Sequence, residues 1–170
     1  MTLRIAALSV LCLAAAPAPT PAPVLALPGG IELRLPVPGA CISSPFGARH
    51  AVGPHAALFH NGLDLPAAAG TWVGAAAAGQ VVAVRHLGSS GLELDIAHGP
   101  PGQGFLTRYA HLGSVAPAIA SGVGRVAAGE RIGRIGRSGI TYGTHLHFEL
   151  HLEGQAVDPA PYLSAKSCGL

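Results

Sequence analysis

The chain is poor in charged and aromatic residues and has no long apolar run. Of its 170 residues, 11% are charged and 5% are aromatic. The formal net charge of +2 is far below the basic excess that neutralising nucleic-acid phosphates requires. The uncharged run from Ile5 to Ala16 is shorter than the roughly 18 residues that span a bilayer. These absences argue against a nucleic-acid partner and against a stable membrane span.

Glycine and proline, in contrast, are abundant, with 24 and 15 residues. They cost a helix interior roughly 1 and 3 kcal/mol relative to alanine, while 49% hydrophobic residues make the chain too apolar to stay unfolded. Short apolar segments between glycines predict an all-β fold, an antiparallel sandwich or roll. Strands are predicted at Ile31–Leu35, Cys41–Phe46, Leu58–Leu65, Trp72–Ala75, Gln80–His86, Leu92–Ala97, Phe105–His111, Arg131–Ile135, His145–Leu152 and Gln155–Val157, with a short helix within Leu112–Val123.

The first 26 residues have the pattern of a signal peptide. Arg4 precedes the apolar run, and small residues end at Ala26, where cleavage is expected; a retained anchor is the alternative. Residues 27–40 are then expected to form a lead-in segment, and residues 41–170 are expected to form one domain. The mature protein is expected to be exported to the periplasm or the cell exterior. Export favours a disulfide between Cys41 and Cys168, and two separate buried thiols are the alternative.

Nine histidines are many for so few charges, and some are regularly spaced. His60 and Asp64 stand four residues apart in an extended segment, so both can face one side. His145 and His147 alternate with apolar residues and share a face, and His111 ends another strand. Three ligands with an open fourth position are typical of catalytic zinc, whereas structural zinc prefers four ligands rich in cysteine. The pattern therefore indicates a catalytic metal.

Six segments in order add a more specific signal. They are Ser44–Arg49, His60–Leu65, Ala76–Val82, Tyr109–Leu112, Ile132–Gly136 and Gly143–Glu149. With them, the chain resembles the lysostaphin-type, or LytM-like, zinc metallopeptidases, which cut peptidoglycan peptides. The resemblance runs from about Ile42 to Leu163 and implies a LytM-type fold with long loops around a zinc cleft.

The resemblance also implies residue roles. His60, Asp64 and His147 are expected to bind one Zn²⁺ per chain, and His111 and His145 to face the substrate. Because the sequence has no glutamate base of the His-Glu-x-x-His kind, we assign His111 as the general base. His145 is then the oxyanion stabiliser or proton donor, and the reversed order stays open.

The expected function is a zinc endopeptidase that acts as a monomer, with metal-activated water attacking an amide of peptidoglycan peptides. The sequence does not choose between D-Ala-to-diaminopimelate links and glycine bridges. One alternative is a catalytically silent relative that binds and activates a cell-wall amidase. Another is a cupin or a three-histidine hydratase, prompted by His145 and His147, although in cupins the glutamate follows at a longer spacing than that of Glu149.

The other candidate side chains receive lesser roles. His50 and His55 lie in the polar segment before the first expected ligand and are assigned no role in the site, with lining of the cleft as the alternative, and Glu149 is expected to support a ligand or form an ion pair. Trp72 is assigned to the core. Three histidines are expected to be solvated or to form loop hydrogen bonds: His86, His98 and His151.

Overall fold

A computed structural model describes residues 27–49, 57–122 and 124–169. The predicted signal peptide, His50 and His55 lie outside these ranges. Two 3₁₀ turns cover Pro28–Gly30 and Ala160–Tyr162. The other elements are β1 Gly47–Ala48, β2 Phe59–His60, β3 Leu63–Pro66, β4 Trp72–Gly74, β5 Gly79–Leu87, β6 Gly91–His98, β7 Phe105–Val115, α1 Pro117–Ala120, β8 Arg125–Val126, β9 Arg131–Ile135, β10 His145–Leu152 and β11 Gln155–Val157.

Nine of the strands form one antiparallel sheet. Its main order is β11-β10-β7-β6-β5-β8, with β3 added to β10 and the β4–β9 pair added to β7, while β1 and β2 form a separate small sheet. The all-β, antiparallel prediction is therefore confirmed. None of the helices in the described ranges has the length and apolar character that crossing a membrane requires.

Strand β10 shows how the sequence divides the sheet into two faces. Leu146, Phe148 and Leu150 are fully buried in the core, and burying each side chain of this kind contributes about 1.5–3 kcal/mol. The alternate positions, which include His145 and His147, point to the opposite face. The apolar face therefore fixes the strand on the core and presents the histidines on the other side.

Several predicted strands are interrupted. Residues 31–35 are extended but form no strand, because their backbone hydrogen bonds go to separate partners, such as Leu27 N–H to Ile31 O and Arg34 N–H to Ala76 O, and build no ladder. The segment from Cys41 contributes isolated bridges, Ile42 to Ser167 and Ser44 to Asp64. The segment predicted at 58–65 breaks into β2 and β3 at a turn whose glycine passes so close to β10 that a Cβ there would collide with the backbone of that strand.

The prediction that Trp72 lies in the core is wrong. Its indole is half-buried, and the guanidinium carbon of Arg134 lies 3.6 Å from the ring centroid. Arg131 lies 5.0 Å from the same ring. Both arginines come from β9, which pairs with β4. The ring therefore contributes cation–π contacts on the sheet surface, which alternation along a three-residue strand could not reveal.

His98 is buried, with only 2% of its surface exposed, so of the two roles predicted for it, solvation is wrong and hydrogen bonding is observed. Its Nδ1–H donates to the Ala78 carbonyl at 2.9 Å, and its Nε2 lies 2.7 Å from the Thr107 hydroxyl. Phe105 stacks on the ring at 4.6 Å. Burial lowers the pKa of His98, so the ring is neutral in the core. His86, in contrast, is exposed as expected.

The two ends of the described domain are joined. Cys41 and Cys168 form a disulfide with a Cα–Cα distance of 4.9 Å, which confirms the predicted pairing. Ile42 N–H donates to Lys166 O at 2.8 Å, and Cys168 N–H donates to Ile42 O at 2.9 Å. The bond is thus supported by backbone pairing on both sides.

Replacing both Cys41 and Cys168 with serine is expected to lower the free energy of unfolding by about 2–5 kcal/mol. The reason is that the bond closes a loop with a sequence separation of 127 residues, which restricts the unfolded chain. Chemical denaturation of the variant and the oxidised wild type measures the difference. Reductant should shift the wild-type midpoint and leave that of the double variant in place. Equal midpoints with equal denaturant slopes would contradict the prediction.

Candidate metal centre and cleft

Three side chains from neighbouring strands converge at one end of the polar sheet face. The antiparallel pairing of β3 and β10 sets Asp64 directly opposite His147, and His60 ends β2. His60 Nε2 lies 2.9 Å from His147 Nδ1, and Asp64 Oδ1 lies 3.1 Å from each of these nitrogens. The structure therefore brings together the three residues predicted as ligands, and their donor atoms form a compact triangle.

The outer nitrogens of the two imidazoles are fixed by acceptors. His60 Nδ1–H donates to the Pro45 carbonyl at 2.7 Å, and His147 Nε2–H donates to a Glu149 carboxylate oxygen at 2.9 Å. A carbonyl and a carboxylate can only accept hydrogen bonds. The outer nitrogens therefore carry the protons, and His60 Nε2 and His147 Nδ1 are the nitrogens that can bind a metal ion.

The electrostatics of the triangle favour a cation. Burial would raise the pKa of Asp64, but its hydrogen bonds with His147 and His60 hold that pKa well below the usual range. Burial would lower the pKa of His147, yet its bonds to Asp64 and Glu149 raise that pKa to about 9. A proton is thus bound strongly beside the Asp64 carboxylate, and a metal ion would compete with it for the same nitrogen.

The donor set fits zinc. Zinc binds imidazole nitrogen and carboxylate oxygen at about 2.0–2.2 Å in tetrahedral geometry, which corresponds to about 3.3 Å between ligand atoms. The observed separations of 2.9–3.1 Å need to open by only a few tenths of an ångström. Two imidazoles and one carboxylate also form the three-ligand set that leaves a fourth position for water or substrate.

Two further histidines stand beside the triangle. His111 Nδ1–H donates to Ser138 O at 2.9 Å, and His145 Nδ1–H donates to Gly143 O at 3.1 Å, so in the neutral rings Nε2 carries the lone pair. His145 Nε2 lies 3.5 Å from Asp64 Oδ1. The ring centroids of His111 and His145 are 5.0 Å apart. Burial lowers the pKa of both histidines. Both rings are therefore neutral near pH 7 and keep the lone pair on Nε2.

All five candidate residues line one cleft of about 420 Å³. Its rim carries three exposed apolar side chains, Phe59, Ile140 and Tyr142. A larger cavity of about 1250 Å³ lies near the loop between β6 and β7 and contains none of the five. We therefore place the candidate site in the smaller cleft.

Arg49 is a site residue that the sequence reasoning did not assign. Its Nη2 donates to Asp64 Oδ2 at 2.9 Å and to Ser44 Oγ at 2.8 Å. This contact takes up one carboxylate oxygen and leaves Oδ1 in the triangle with the histidines. The sequence signal was present, since Ser44 and Arg49 are the first and last residues of the first of the six ordered segments.

Glu149 links the candidate ligand His147 to charged groups deeper in the sheet, as expected. Its other oxygen accepts from His151 Nε2–H at 2.6 Å and lies 3.4 Å from Arg108 Nη1. Burial would raise the pKa of Glu149, but these partners and His147 lower it to about 2. His151 is thus a partner of this carboxylate and is not the solvated or loop residue predicted.

Two buried carboxylates and a partly exposed arginine support Arg108 in turn. Arg108 Nε donates to Asp95 at 2.8 Å, and Arg85 Nη2 lies 2.6 Å from both Asp95 and Glu93. Sequence analysis did not identify this cluster, although Glu93 and Asp95 stand at alternate positions of a predicted strand. Arg85 and Arg108, the partners of these two carboxylates, are brought beside them by the register in which β5, β6 and β7 pair.

Replacing Glu149 with Gln is expected to weaken zinc affinity about 10- to 100-fold. The neutral amide is a weaker acceptor for His147 Nε2–H and no longer balances the charge of Arg108. Competition with a chromophoric chelator measures the affinity, with Glu153→Gln in the exposed turn as the matched control. Equal affinities of Glu149→Gln and wild type would contradict a supporting role for this carboxylate.

Comparison with known proteins identifies the family of the chain. Residues 58–159 match peptidase family M23, and the chain belongs to that family. The match confirms the resemblance that the six ordered segments indicated.

Three similar proteins illustrate the relation. The chain is 38% identical over 136 residues to the DD-carboxypeptidase/endopeptidase Mpg of Neisseria meningitidis, covering 80% of this chain and 30% of that protein. It is 36% identical over 99 residues to the peptidoglycan DD-endopeptidase ShyA of Vibrio cholerae, covering 58% and 22%. A crystal structure of a zinc-containing peptidase from Vibrio cholerae superposes with a TM-score of 0.65 at 29% identity, covering 75% and 39%. The chain thus spans less than a third of the length of these two curated relatives.

Proposed function

We propose that the protein is a zinc-dependent endopeptidase that hydrolyses cross-links or stem peptides of peptidoglycan. The observation that carries this proposal is the triangle of His60 Nε2, Asp64 Oδ1 and His147 Nδ1 at 2.9–3.1 Å, with both outer imidazole nitrogens tied to acceptors. Family membership and the names of the similar proteins supply the substrate class.

The roles of the residues follow from their donors and acceptors. When bound by His60, Asp64 and His147, zinc would polarise a carbonyl group and lower the pKa of water. His111 Nε2, which carries the lone pair in the neutral ring, accepts the proton that water loses as it attacks the scissile amide carbon. His145 Nε2 has no hydrogen in the neutral ring, so His145 would donate a hydrogen bond to the developing oxyanion or a proton to the departing amine as the imidazolium.

The environment of the cleft supports a peptide substrate. The three charged side chains among its described lining residues, Arg49, Asp64 and Glu149, are each engaged with partners inside the protein. The rim side chains Phe59 and Ile140 offer apolar contact to a peptide, and the serines of the lining offer hydrogen bonds. We also propose export to the cell envelope, where the substrate lies and where a disulfide is stable.

Digestion of purified peptidoglycan tests the proposal. The zinc-loaded protein is expected to release peptide fragments with new amino groups, and mass spectrometry of these fragments identifies the bond that is cut. A chelator should stop the release and added zinc should restore it. A protein that binds no stoichiometric metal, frees no amino groups, or cleaves equally well with the chelator would contradict the proposal. Wall binding without cleavage would favour the catalytically silent alternative.

A further inference from the structure

Ser138, in the loop between β9 and β10, contacts three parts of the molecule at once. Its Oγ accepts a hydrogen bond from Leu92 N–H at 2.8 Å and donates one to Leu112 O at 2.7 Å. Its own carbonyl accepts His111 Nδ1–H at 2.9 Å. One residue therefore joins the start of β6, the middle of β7 and the imidazole that we assign as general base.

The backbone around His111 is irregular on both sides. The pairing of β6 with β7 shifts between Leu92 and Leu94, and the pairing of β7 with β9 shifts between Leu112 and Ser114. Bulges of this kind redirect a side chain and leave backbone groups outside the ladder. The Ser138 hydroxyl satisfies one such group on each strand, the Leu92 donor and the Leu112 acceptor.

His111 itself adopts a φ of +60°, in the left-handed region that side chains other than glycine rarely occupy. Its backbone N–H donates to Ser90 O at 2.9 Å, and its carbonyl accepts Gly136 N–H at 3.0 Å. An unfavourable backbone conformation persists only where neighbouring contacts determine it. The loops that carry Ser90, Gly136 and Ser138 supply those contacts.

Close backbone approaches leave Ser138 little room to move. A Cβ on Gly91 would collide with the backbone and hydroxyl of Ser138, and a Cβ on Gly139 would collide with Gly91 and Ser89. Ile140 N–H donates to Ser89 O at 2.9 Å and closes the junction from the other side. The Ser138 carbonyl is thus held at a fixed position beside the imidazole.

We propose that Ser138 is a positioning residue for His111. Its hydroxyl holds the bulged junction, and its carbonyl keeps the proton of His111 on Nδ1, so that Nε2 presents its lone pair to the cleft. The catalytic part of this inference rests on the proposed function. The tautomer of His111 and its dependence on the Ser138 hydroxyl do not rest on the proposed function.

The test compares Ser138→Ala with Ser138→Thr, which keeps the hydroxyl, and with the exposed control Ser164→Ala. Long-range ¹H–¹⁵N NMR of the imidazole nitrogens is expected to show His111 as the Nδ1–H tautomer in wild type and a tautomer mixture in Ser138→Ala. Zinc content and KM should stay close to wild type, while kcat falls about 10- to 100-fold, the loss expected for a misplacement of about 1 Å. Ser138→Thr should recover most of kcat, and Ser164→Ala should behave as wild type.

A wild-type His111 with its proton on Nε2 would overturn the proposal without any variant. So would a folded Ser138→Ala protein that keeps both the wild-type tautomer and the wild-type kcat. If Ser138→Ala does not fold, the His111 tautomer in wild type and in Ser138→Thr tests the proposal. A mixture of tautomers in Ser138→Thr would then contradict it. If wild type cleaves no peptidoglycan, the proposed function fails while the NMR result still stands.

Discussion

Replacing Asp64 with Ala is expected to abolish stoichiometric zinc binding and to reduce peptidoglycan hydrolysis by more than the 10- to 100-fold that loss of a supporting hydrogen bond causes. Asp64 is the only anion of the triangle, and its Oδ1 lies 3.1 Å from both ligand nitrogens. Without it, two neutral imidazoles would face the cation. Arg49, now 2.9 Å from Asp64 Oδ2, would lose its partner and repel a metal ion.

Metal analysis after dialysis and a digestion assay measure the two effects. Asp158→Ala, an exposed carboxylate outside the cleft, is the matched control and should retain both zinc and activity. Asp64→Asn keeps the shape of the side chain and separates the loss of charge from the loss of packing. Retention of zinc by Asp64→Ala would instead favour a site of three histidines, His60, His145 and His147, and would contradict our ligand assignment.

Replacing His111 or His145 with Ala is expected to lower kcat about 10²- to 10⁴-fold, the contribution typical of a positioned acid or base. Neither ring belongs to the triangle of donors, so each variant should bind zinc with nearly wild-type affinity. His145 Nε2 lies 3.5 Å from Asp64 Oδ1, and a small change in affinity is therefore expected for that variant alone.

Single-turnover kinetics and zinc titration of both variants test this expectation. His86→Ala, on the exposed edge of β5, is the control for loss of an imidazole and should leave kcat unchanged. Loss of zinc from His111→Ala would show that this ring helps to hold the metal. An unchanged kcat in either variant would remove that residue from the proposed mechanism.

The parts of the structure that could be predicted from the sequence depend on local alternation. Strand β10 was predicted with its observed bounds, His145–Leu152, because polar and apolar residues alternate there without interruption. The same alternation placed His145 and His147 on one face. That Asp64 lies opposite His147 depends on the pairing of β3 with β10, and this proximity was expected only from the resemblance to a known family.

The parts that could not be predicted depend on which segments pack across the sheet. His98 precedes Gly99 and looks like a loop residue in the sequence, yet Thr107 and Ala78 supply it with buried partners. Arg49 and Ser138 act through contacts with residues 15 and 27 positions away. Local periodicity carries no information on such pairs, because the register of distant strands and loops brings them together.

The disulfide between Cys41 and Cys168 also has a topological consequence. All five candidate site residues lie between these two cysteines, so the chain that builds the cleft is a covalently closed ring. A single proteolytic cut anywhere inside the ring would open it without releasing a fragment. The two pieces would remain tethered by the Cys41–Cys168 bond, and in an oxidising compartment a nicked molecule would keep His60 and His147 on one covalent assembly.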